Sequence, residues 1–387
     1  MKKQIINQDH DGGKNKYPQV FRPLKVGSVN LPNRIVFPAM QVNFANLDGT
    51  ISKKLQDFYL APASGGCGLV FTGAAVVSSD TVAFDRVMRI DKDNYIPRLK
   101  GLFSKIEEYG SVPGIQLIHY GRQALSSVTG SALLAPSALP CPIMSQYDPN
   151  YKVKEMTLED ITGVRQAFIE AAVRAAQAGA KVVEVHAAHG YLLNQFLSPY
   201  SNRRNDDYGG TELKRARLTL EIIEGIRAGL GSSIAISLRV SGDEFVKDGL
   251  TPASFKSLLP LFVQAGIDMF NVTAGVYESA ERIIPASDLG PMPNIEITAE
   301  LKGYTKLPIC AVGLITTLEM AETILSSDKA DLVAIGRGQI ADPEMVIKSA
   351  SGRETEIQEC IGCNQCEYSS NGDSQLSCSV NPELRRG

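Results

Sequence analysis

The chain has 387 residues, 39 of them basic and 42 acidic, which gives a net charge of −3 at neutral pH. This balance excludes the strong basic excess of a protein that binds the phosphate backbone of nucleic acids. The apolar fraction of 44% fits a globular protein with a sizeable core and excludes wholesale disorder.

The N-terminal segment, residues 1–18, is polar, and we predict a flexible arm there. It lacks the run of about 7 to 15 apolar residues that a secretory signal needs, and the chain has no stretch of about 20 apolar residues that could span a membrane. We therefore expect a cytoplasmic protein whose thiols stay reduced. An odd number of cysteines, seven, favours metal or redox chemistry over a disulfide framework.

Eight short apolar runs follow one another along the chain, and most are continuously apolar rather than alternating. This pattern is typical of parallel strands that helices cover on both faces. The predicted strands span 34–40, 68–77, 113–120, 181–189, 234–241, 268–275, 308–314 and 331–338.

Predicted helices lie between these strands. The clearest spans 157–180, where Thr157 and Asp160 form a start signal and Gly179 forms a stop. The others span 215–230, 253–266 and 318–327. The alternation predicts an α/β fold, a (β/α)8 TIM barrel over residues 19–350. An open doubly wound sheet is the alternative, but no dinucleotide-binding fingerprint follows the first strand.

Two connections, at about 121–156 and 275–300, are too long for ordinary barrel loops. Both follow strands and so lie at the carboxyl end of the barrel, where active sites are found, and we expect lids or specificity elements. The loops after the seventh and eighth strands often hold a phosphate, and here they contain Gly313-Leu314 and Gly336-Arg337. Simple tight turns are the alternative interpretation of these glycines.

His186, His189 and Tyr191 follow the fourth predicted strand. Imidazole N–H groups there can hydrogen-bond a substrate carbonyl and stabilise an enolate, and Tyr191 is a suitable proton donor to a carbanion. A metal site is one alternative, although only His10 and His119 remain as further imidazole ligands. Buried structural histidines are the other alternative.

Four cysteines in the C-terminal segment, residues 351–387, have the spacing C-x2-C-x2-C-x11-C. They are Cys360, Cys363, Cys366 and Cys378. Three thiolates in a short run plus one at a distance can bind a [4Fe–4S] cluster, whereas structural zinc more often uses two separated C-x2-C pairs. Free thiols are the third alternative. Cys67, Cys141 and Cys310 are isolated, and we predict that they are small buried apolar residues.

The segment HAAHGYLLNQFLSPYSNRRNDDYGG, residues 186–210, resembles the signature of the Old Yellow Enzyme family of FMN-dependent ene-reductases. The likeness extends from PLKVGSVNLPNRIVFPAM at 23–40 to AIGRGQIADP after the eighth predicted strand. Within the family, the chain is most similar to the barrel part of 2,4-dienoyl-CoA reductase and trimethylamine dehydrogenase, which carry a cysteine run after the barrel. The resemblance implies hydride transfer from flavin N5 to the β-carbon of an α,β-unsaturated carbonyl compound, followed by protonation at the α-carbon.

The resemblance also implies roles for individual residues. His186 and His189 would hold the carbonyl oxygen of the substrate, and Tyr191 would donate the proton. Gln116 would hydrogen-bond the pyrimidine edge of FMN, and Arg239 would stabilise the anionic reduced flavin near N1 and O2. The other implied cofactor-binding residues are Pro38, Ala39, Met40, Gly73, Ala74, Gly313, Leu314, Gly336 and Arg337.

The chain also departs from its relatives. Dienoyl-CoA reductase has a histidine in the loop after the sixth strand, where this chain offers only Tyr277 as a second acid. Leu314 replaces an arginine of some relatives, which leaves a backbone contact to the phosphate. Trimethylamine dehydrogenase cages its cationic substrate with tryptophans, and the chain has none, so that activity is not expected.

In dienoyl-CoA reductase, FAD- and NADPH-binding domains follow the cluster, whereas nine residues follow Cys378 here. We therefore expect a separate ferredoxin or flavoprotein subunit to pass electrons through the cluster to FMN, with NADH or NADPH as the alternative donor. A cluster that only holds the C-terminus in place is the structural alternative. Rival functions are an oxidative dehydrogenase or demethylase that sends electrons outward, an NAD(P)H dehydrogenase, and a non-catalytic electron-transfer subunit.

Overall fold

The computed structural model describes residues 16–370 and 376–385. Residues 1–15 of the predicted arm, including His10, lie outside the described residues, as do 371–375 and 386–387 of the predicted C-terminal segment. Within the predicted arm, Tyr17 is 5% exposed and packs in the core, and its hydroxyl donates to Glu354 Oε1 at 3.4 Å.

Eight parallel strands form a closed barrel, as the sequence predicts. They are β1 (Ile35–Phe37), β2 (Leu69–Val76), β3 (Val112–Ile118), β4 (Val182–Ala187), β5 (Ala235–Ser241), β6 (Met269–Thr273), β7 (Ile309–Val312) and β8 (Leu332–Ala334). Each strand pairs with the next, and β8 pairs with β1 through Val333 and Ile35, which closes the barrel. Almost every strand residue is buried, which explains why the apolar runs are continuous.

The first and last strands are shorter than predicted. β1 ends at Phe37 because Pro38 has no backbone N–H with which to continue the ladder. β8 ends at Ala334 because the chain turns at Gly336 into a short helix, Arg337–Ala341. Beyond the end of β8, the Ile335 N–H still donates to the Val36 carbonyl at 3.0 Å.

Helices on the outer face cover the strands. They are α1 (Lys53–Ser64), α2 (Ile96–Glu108), α3 (Leu158–Gln177), α4 (Glu212–Leu230), α5 (Phe255–Ala265), α6 (Ile295–Lys302), α7 (Leu318–Ser326) and α8 (Met345–Ala350). The predicted start of α3 is confirmed, because Thr157 and Asp160 form a reciprocal capping box. α4 begins at Glu212 rather than at 215, because the Thr211 side chain caps it by accepting from the Lys214 N–H.

The two ends of the barrel differ. An antiparallel hairpin, Leu24–Val26 with Val29–Leu31, packs against apolar residues at the amino end of the strands and closes it. At the other end, the long loop at 121–156 contains a small parallel pair, Leu133–Ala135 with Val153–Glu155. Short helices occupy the remaining loops, at Ser126–Thr129, Met144–Tyr147, Leu192–Leu197, Ala280–Ile283 and Gln365–Ser370. The carboxyl end is therefore the end with room for a site.

Across residues 16–370 and 376–385, no helix combines the length and the apolar character that crossing a membrane requires.

Candidate active site

The three predicted catalytic side chains meet at the carboxyl end of β4. The His186 ring centroid lies 5.1 Å from that of His189 and 5.0 Å from that of Tyr191, and His189 lies 6.2 Å from Tyr191. His189 has a positive φ of 59°, which turns the chain sharply after the strand, and its N–H donates to Ser241 Oγ at 2.9 Å. This turn brings His189 and Tyr191, which lie three and five positions after His186, into one cluster with it.

Both histidines are neutral hydrogen-bonding groups. They are 3% and 7% exposed, and burial, with a contribution from the Arg239 charge, lowers the pKa of His186 and of His189 well below the usual value. Nδ1 of His186 accepts from the Ala188 N–H at 3.3 Å, so its proton is on Nε2. His189 Nε2 lies 2.9 Å from Thr273 Oγ1. The pair can therefore donate hydrogen bonds to an oxyanion but holds no titrating proton near neutral pH.

Tyr191 is paired with a second phenol from the loop after β6. Its hydroxyl lies 3.1 Å from the Tyr277 hydroxyl, and burial raises the pKa of both groups above that of a free phenol. Both phenols are therefore protonated, as a proton donor must be. The sequence singled out Tyr277 only as the remaining acid in that loop, and the structure places it in direct contact with Tyr191.

Gln116 and Arg239, the predicted partners of the flavin pyrimidine, lie on either side of β4. Gln116 on β3 is 2% exposed, and Arg239 on β5 is 7% exposed and pairs in register with His186. Arg239 Nε has no hydrogen-bond partner among the described residues. A buried guanidinium with an unused donor is suited to an anionic or carbonyl-bearing ligand, as the reduced flavin would be.

The predicted backbone contacts to the cofactor are contiguous. A Cβ at Gly336 would lie 3.3 Å from both Met40 Sδ and Pro38 Cγ, so the β8 loop abuts the segment after β1, which contains Ala39. A Cβ at Gly73, beside Ala74, would lie 3.0 Å from the Gln116 carbonyl oxygen. Glycine is favoured at Gly73 by its φ of 128°, whereas a Cβ at Gly336 would require its neighbours to shift by a few tenths of an ångström.

The two predicted phosphate loops have different surroundings. Gly313 has a φ of 130°, and a Cβ there would lie 2.8 Å from Asn294 Nδ2. Leu314 has a φ of 46°. Arg337, by contrast, donates to the Pro285 carbonyl at 2.7 Å and to the Asn364 side-chain oxygen. The guanidinium therefore connects the loop after β8 to the loop after β6 and to the cysteine segment.

The four cysteines of the C-terminal segment line one cavity together with Arg337. They are Cys360, Cys363, Cys366 and Cys378. Within 16–370 and 376–385, no three or more His, Cys, Asp or Glu side chains are arranged as a metal-binding group. The iron–sulfur cluster therefore stays a prediction. The isolated cysteines Cys67, Cys141 and Cys310 are buried, as predicted.

Two hydrogen bonds attach the cysteine segment to the loop after β6. Asn364, which lies between the second and third cysteines, donates from Nδ2 to the Ile284 carbonyl at 2.8 Å. The Gly362 carbonyl accepts from the Ser287 N–H at 3.1 Å. The same loop carries Tyr277, so the cysteines and the acid pair share one supporting element.

Sequence reasoning missed the carboxylate that supports the histidine turn. Glu244, 1% exposed, accepts from Asn194 Nδ2 at 2.8 Å, from Ser198 Oγ at 2.6 Å and from the Leu250 N–H at 2.8 Å. Asn194 Oδ1 in turn accepts from the Gly190 N–H at 2.6 Å, directly between His189 and Tyr191. The only signal in the sequence is an acidic residue near the end of LRVSGDEF, residues 238–245, which begins within β5.

The pH dependence of stability tests this support. Burial raises the pKa of Glu244 from 4.5 to about 7, so the native state holds this proton more tightly than the unfolded chain. Its contribution to stability is fully present below about pH 4.5 and is lost as the pH rises through about 7, a loss of about 3 kcal/mol. We expect urea unfolding to show this loss in the wild type but not in Glu244→Gln.

The matched control for this experiment is Glu224→Gln, at an exposed position on α4. It should keep the pH dependence of the wild type. If the wild type and Glu244→Gln lost equal unfolding free energy between pH 5 and pH 8, the assigned pKa would be wrong.

Residues 19–356 match the profile of the NADH:flavin oxidoreductase / NADH oxidase family. The chain is 37% identical to an NADH oxidase of Thermoanaerobacter brockii, with 96% of this chain and 57% of that protein covered. It is 34% identical to an NADPH dehydrogenase of Bacillus licheniformis, with 88% of this chain and 96% of that protein covered. A 2-naphthoyl-CoA reductase bound to 2-naphthoyl-CoA superposes with a TM-score of 0.90 and 28% identity, over 96% of this chain and 58% of that one.

The barrel and these matches define the class, a flavin-dependent oxidoreductase built on a (β/α)8 barrel. The chain belongs to the NADH:flavin oxidoreductase / NADH oxidase family, and its predicted resemblance to the Old Yellow Enzyme family is confirmed. The chain spans little more than half the length of the Thermoanaerobacter NADH oxidase and of the naphthoyl-CoA reductase.

Proposed function

We propose that this chain is an FMN-dependent ene-reductase that acts on α,β-unsaturated carbonyl compounds. The observation that carries the proposal is the convergence of two neutral histidines and a protonated tyrosine, His186, His189 and Tyr191, beside the buried Arg239. Neutral imidazoles stabilise a developing enolate oxygen without protonating it, which leaves the proton for carbon to the phenol.

The residues present fit FMN. The unused Nε donor of Arg239 and the buried amide of Gln116 suit the pyrimidine edge of a flavin, and the close-packed glycines at 73 and 336 suit a planar ring and its phosphate chain. Bound FMN would supply the hydride, which it receives from a donor and passes to the β-carbon of the substrate.

The side chains of this chain then have separate tasks. His186 would donate from Nε2 to the carbonyl oxygen, and His189, whose Nε2 lies 2.9 Å from Thr273 Oγ1, would offer Nδ1 to the same oxygen. Polarising this carbonyl makes the β-carbon electrophilic and stabilises the enolate that follows. Tyr191 holds its proton for the α-carbon, and Tyr277 stabilises the phenolate that remains.

Replacing Tyr277 with phenylalanine tests that last role. Loss of a hydrogen bond to a charged oxygen costs about 1.5 to 3 kcal/mol, so we expect alkene reduction to slow by about 10- to 100-fold. Reduction of the flavin by its donor should be unchanged, because Tyr277 acts only on the proton transfer. Stopped-flow measurement of the two half-reactions separates these steps.

The control is Tyr147→Phe, at a residue that is 76% exposed. It should leave both half-reactions as they are in the wild type. If Tyr277→Phe slowed flavin reduction as much as it slows alkene reduction, Tyr277 would have a general structural role instead of a role in proton transfer.

We also propose that the cysteine segment binds a [4Fe–4S] cluster that exchanges single electrons with FMN. Support comes from the common cavity of the four cysteines, from their thiolate-rich spacing and from the attachment of the segment to the loop that carries Tyr277. NADH, NADPH or a reduced protein such as a ferredoxin or a flavoprotein subunit would supply the electrons.

The proposed function is tested on protein purified without oxygen. Flavin is extracted and identified, and the bound flavin is then mixed separately with NADH, NADPH and reduced ferredoxin. The reduced enzyme is then mixed with cyclohexenone or crotonyl-CoA, and the oxidised enzyme is mixed separately with a control amine. We expect the unsaturated carbonyl compounds to reoxidise the flavin. Flavin reduction by the amine, with no reoxidation by any enone or enoyl thioester, would favour the oxidative alternative.

A further inference from the structure

A buried carboxylate lies inside the barrel among the predicted flavin-binding residues. Glu184, in the middle of β4, has no exposed surface. Its Oε1 accepts from Gln116 Nε2 at 2.8 Å, and its Oε2 accepts from Ser237 Oγ at 2.8 Å and from Asn271 Nδ2 at 2.9 Å. Three strands, β3, β5 and β6, thus each direct a donor at this one group.

This arrangement fixes the Gln116 amide. Since Nε2 donates to the carboxylate, the amide oxygen is held away from it, because two acceptors side by side repel one another. Gln116 therefore keeps its carbonyl oxygen, and the second hydrogen of Nε2, for a partner other than Glu184. That is the pattern that complements a ring N–H next to a carbonyl, which the flavin pyrimidine offers.

In the strand register, the carboxylate also lies two positions from a buried cation, Arg239. Arg239 lies two residues after Ser237 on β5, and Ser237 pairs in register with Glu184. Among the described residues, the two charges form no direct ion pair, but the Glu184 charge favours the charged form of Arg239, opposing its desolvation. Two charges in the protein interior interact far more strongly than the same two charges in water.

We propose that Glu184 is a positioning residue that orients Gln116 and offsets part of the Arg239 charge, and so sets the reduction potential of the flavin. The inference rests on the proposed function, because it takes FMN to lie on Gln116 and Arg239. The reduced flavin is anionic, so an uncompensated Arg239 stabilises it more. Glu184 holds the potential below the value that Arg239 alone would impose.

The test is the two-electron potential of bound flavin, measured by dye-coupled titration in wild type, Glu184→Gln and the exposed control Glu224→Gln. Glu184→Gln removes the charge at nearly constant shape. We expect its reduction equilibrium to shift about tenfold toward reduced flavin, which is about 30 mV for a two-electron couple. The control should show the wild-type potential. An unchanged or lowered potential in Glu184→Gln overturns the proposal.

Ser237→Ala keeps the proposal testable if Glu184→Gln does not fold. It removes one hydrogen-bond donor to the Glu184 carboxylate, so the negative charge of Glu184 is less compensated. The reduction potential of the flavin should therefore fall rather than rise. A rise in the flavin potential, or no change, would contradict the proposed role of Glu184. The readout is independent of alkene turnover: a wild type that binds flavin but reduces no alkene contradicts the proposed function alone, whereas unshifted potentials in an active enzyme contradict only the role of Glu184.

Discussion

Alkene reduction should fall by about 100- to 10,000-fold when Tyr191 is replaced by phenylalanine, because a positioned general acid contributes about that much to a proton transfer. Among the described residues around Tyr191, neither the two histidines nor Tyr277 is suited to take over its role. The neighbouring histidines are neutral, since burial holds their pKa values low, and Tyr277 reaches the site only through the Tyr191 hydroxyl at 3.1 Å. Flavin reduction by the donor should continue at the wild-type rate.

The measurement is a stopped-flow comparison of the two half-reactions in Tyr191→Phe, with the solvent isotope effect on flavin reoxidation. The variant should keep its affinity for a carbonyl ligand, because in the proposed mechanism His186 and His189, not the tyrosine, hold the oxygen. Tyr147→Phe again serves as the exposed control. Wild-type reoxidation in Tyr191→Phe would remove the tyrosine from the proposed mechanism.

Iron and sulfide should fall close to zero when Cys363 and Cys366 are both replaced by alanine. These two residues supply half of the thiolates that line the C-terminal cavity, and a [4Fe–4S] cluster needs a ligand for each iron. Flavin binding should be retained, because no predicted flavin contact lies on this segment. Electron transfer from a reduced ferredoxin should be lost together with the cluster.

Metal and sulfide analysis and electron paramagnetic resonance of the reduced protein give the readout. The matched control is Cys141→Ala, which removes a buried thiol away from the cavity. Zinc in the wild type in place of iron would contradict the cluster, and ferredoxin-driven turnover that survives in the double variant would contradict electron transfer through it. The second outcome, with iron lost, would leave the cluster a structural role only.

The fold was predictable to a large extent because its signals are local. Each barrel strand is buried on both faces, so each appears as a continuous apolar run, and Thr157 with Asp160 marked the start of α3. The errors occurred where a neighbouring residue ended or began an element. Pro38 shortened β1, and the capping hydroxyl of Thr211 moved the start of α4 to Glu212.

The candidate site was predictable where its residues are close in sequence. His186, His189 and Tyr191 occupy one turn, so their convergence follows from the segment itself. The pairing of Tyr191 with Tyr277 does not, since 86 positions separate them and the long loop after β6 had no predictable path. The same holds for Arg337, whose contact with Asn364 depends on how the cysteine segment lies on the barrel.

By itself, the sequence determined the eight strands, their order and the side chains carried at their carboxyl ends, because strand burial and strand ends leave local patterns. Only the tertiary structure decided which polar groups form hydrogen bonds with one another or interact through their charges. Glu184 and its three donors are 53 to 87 positions apart and meet only when the barrel closes. A buried hydrogen bond is fixed by distances of a few ångströms, and no local pattern carries that information.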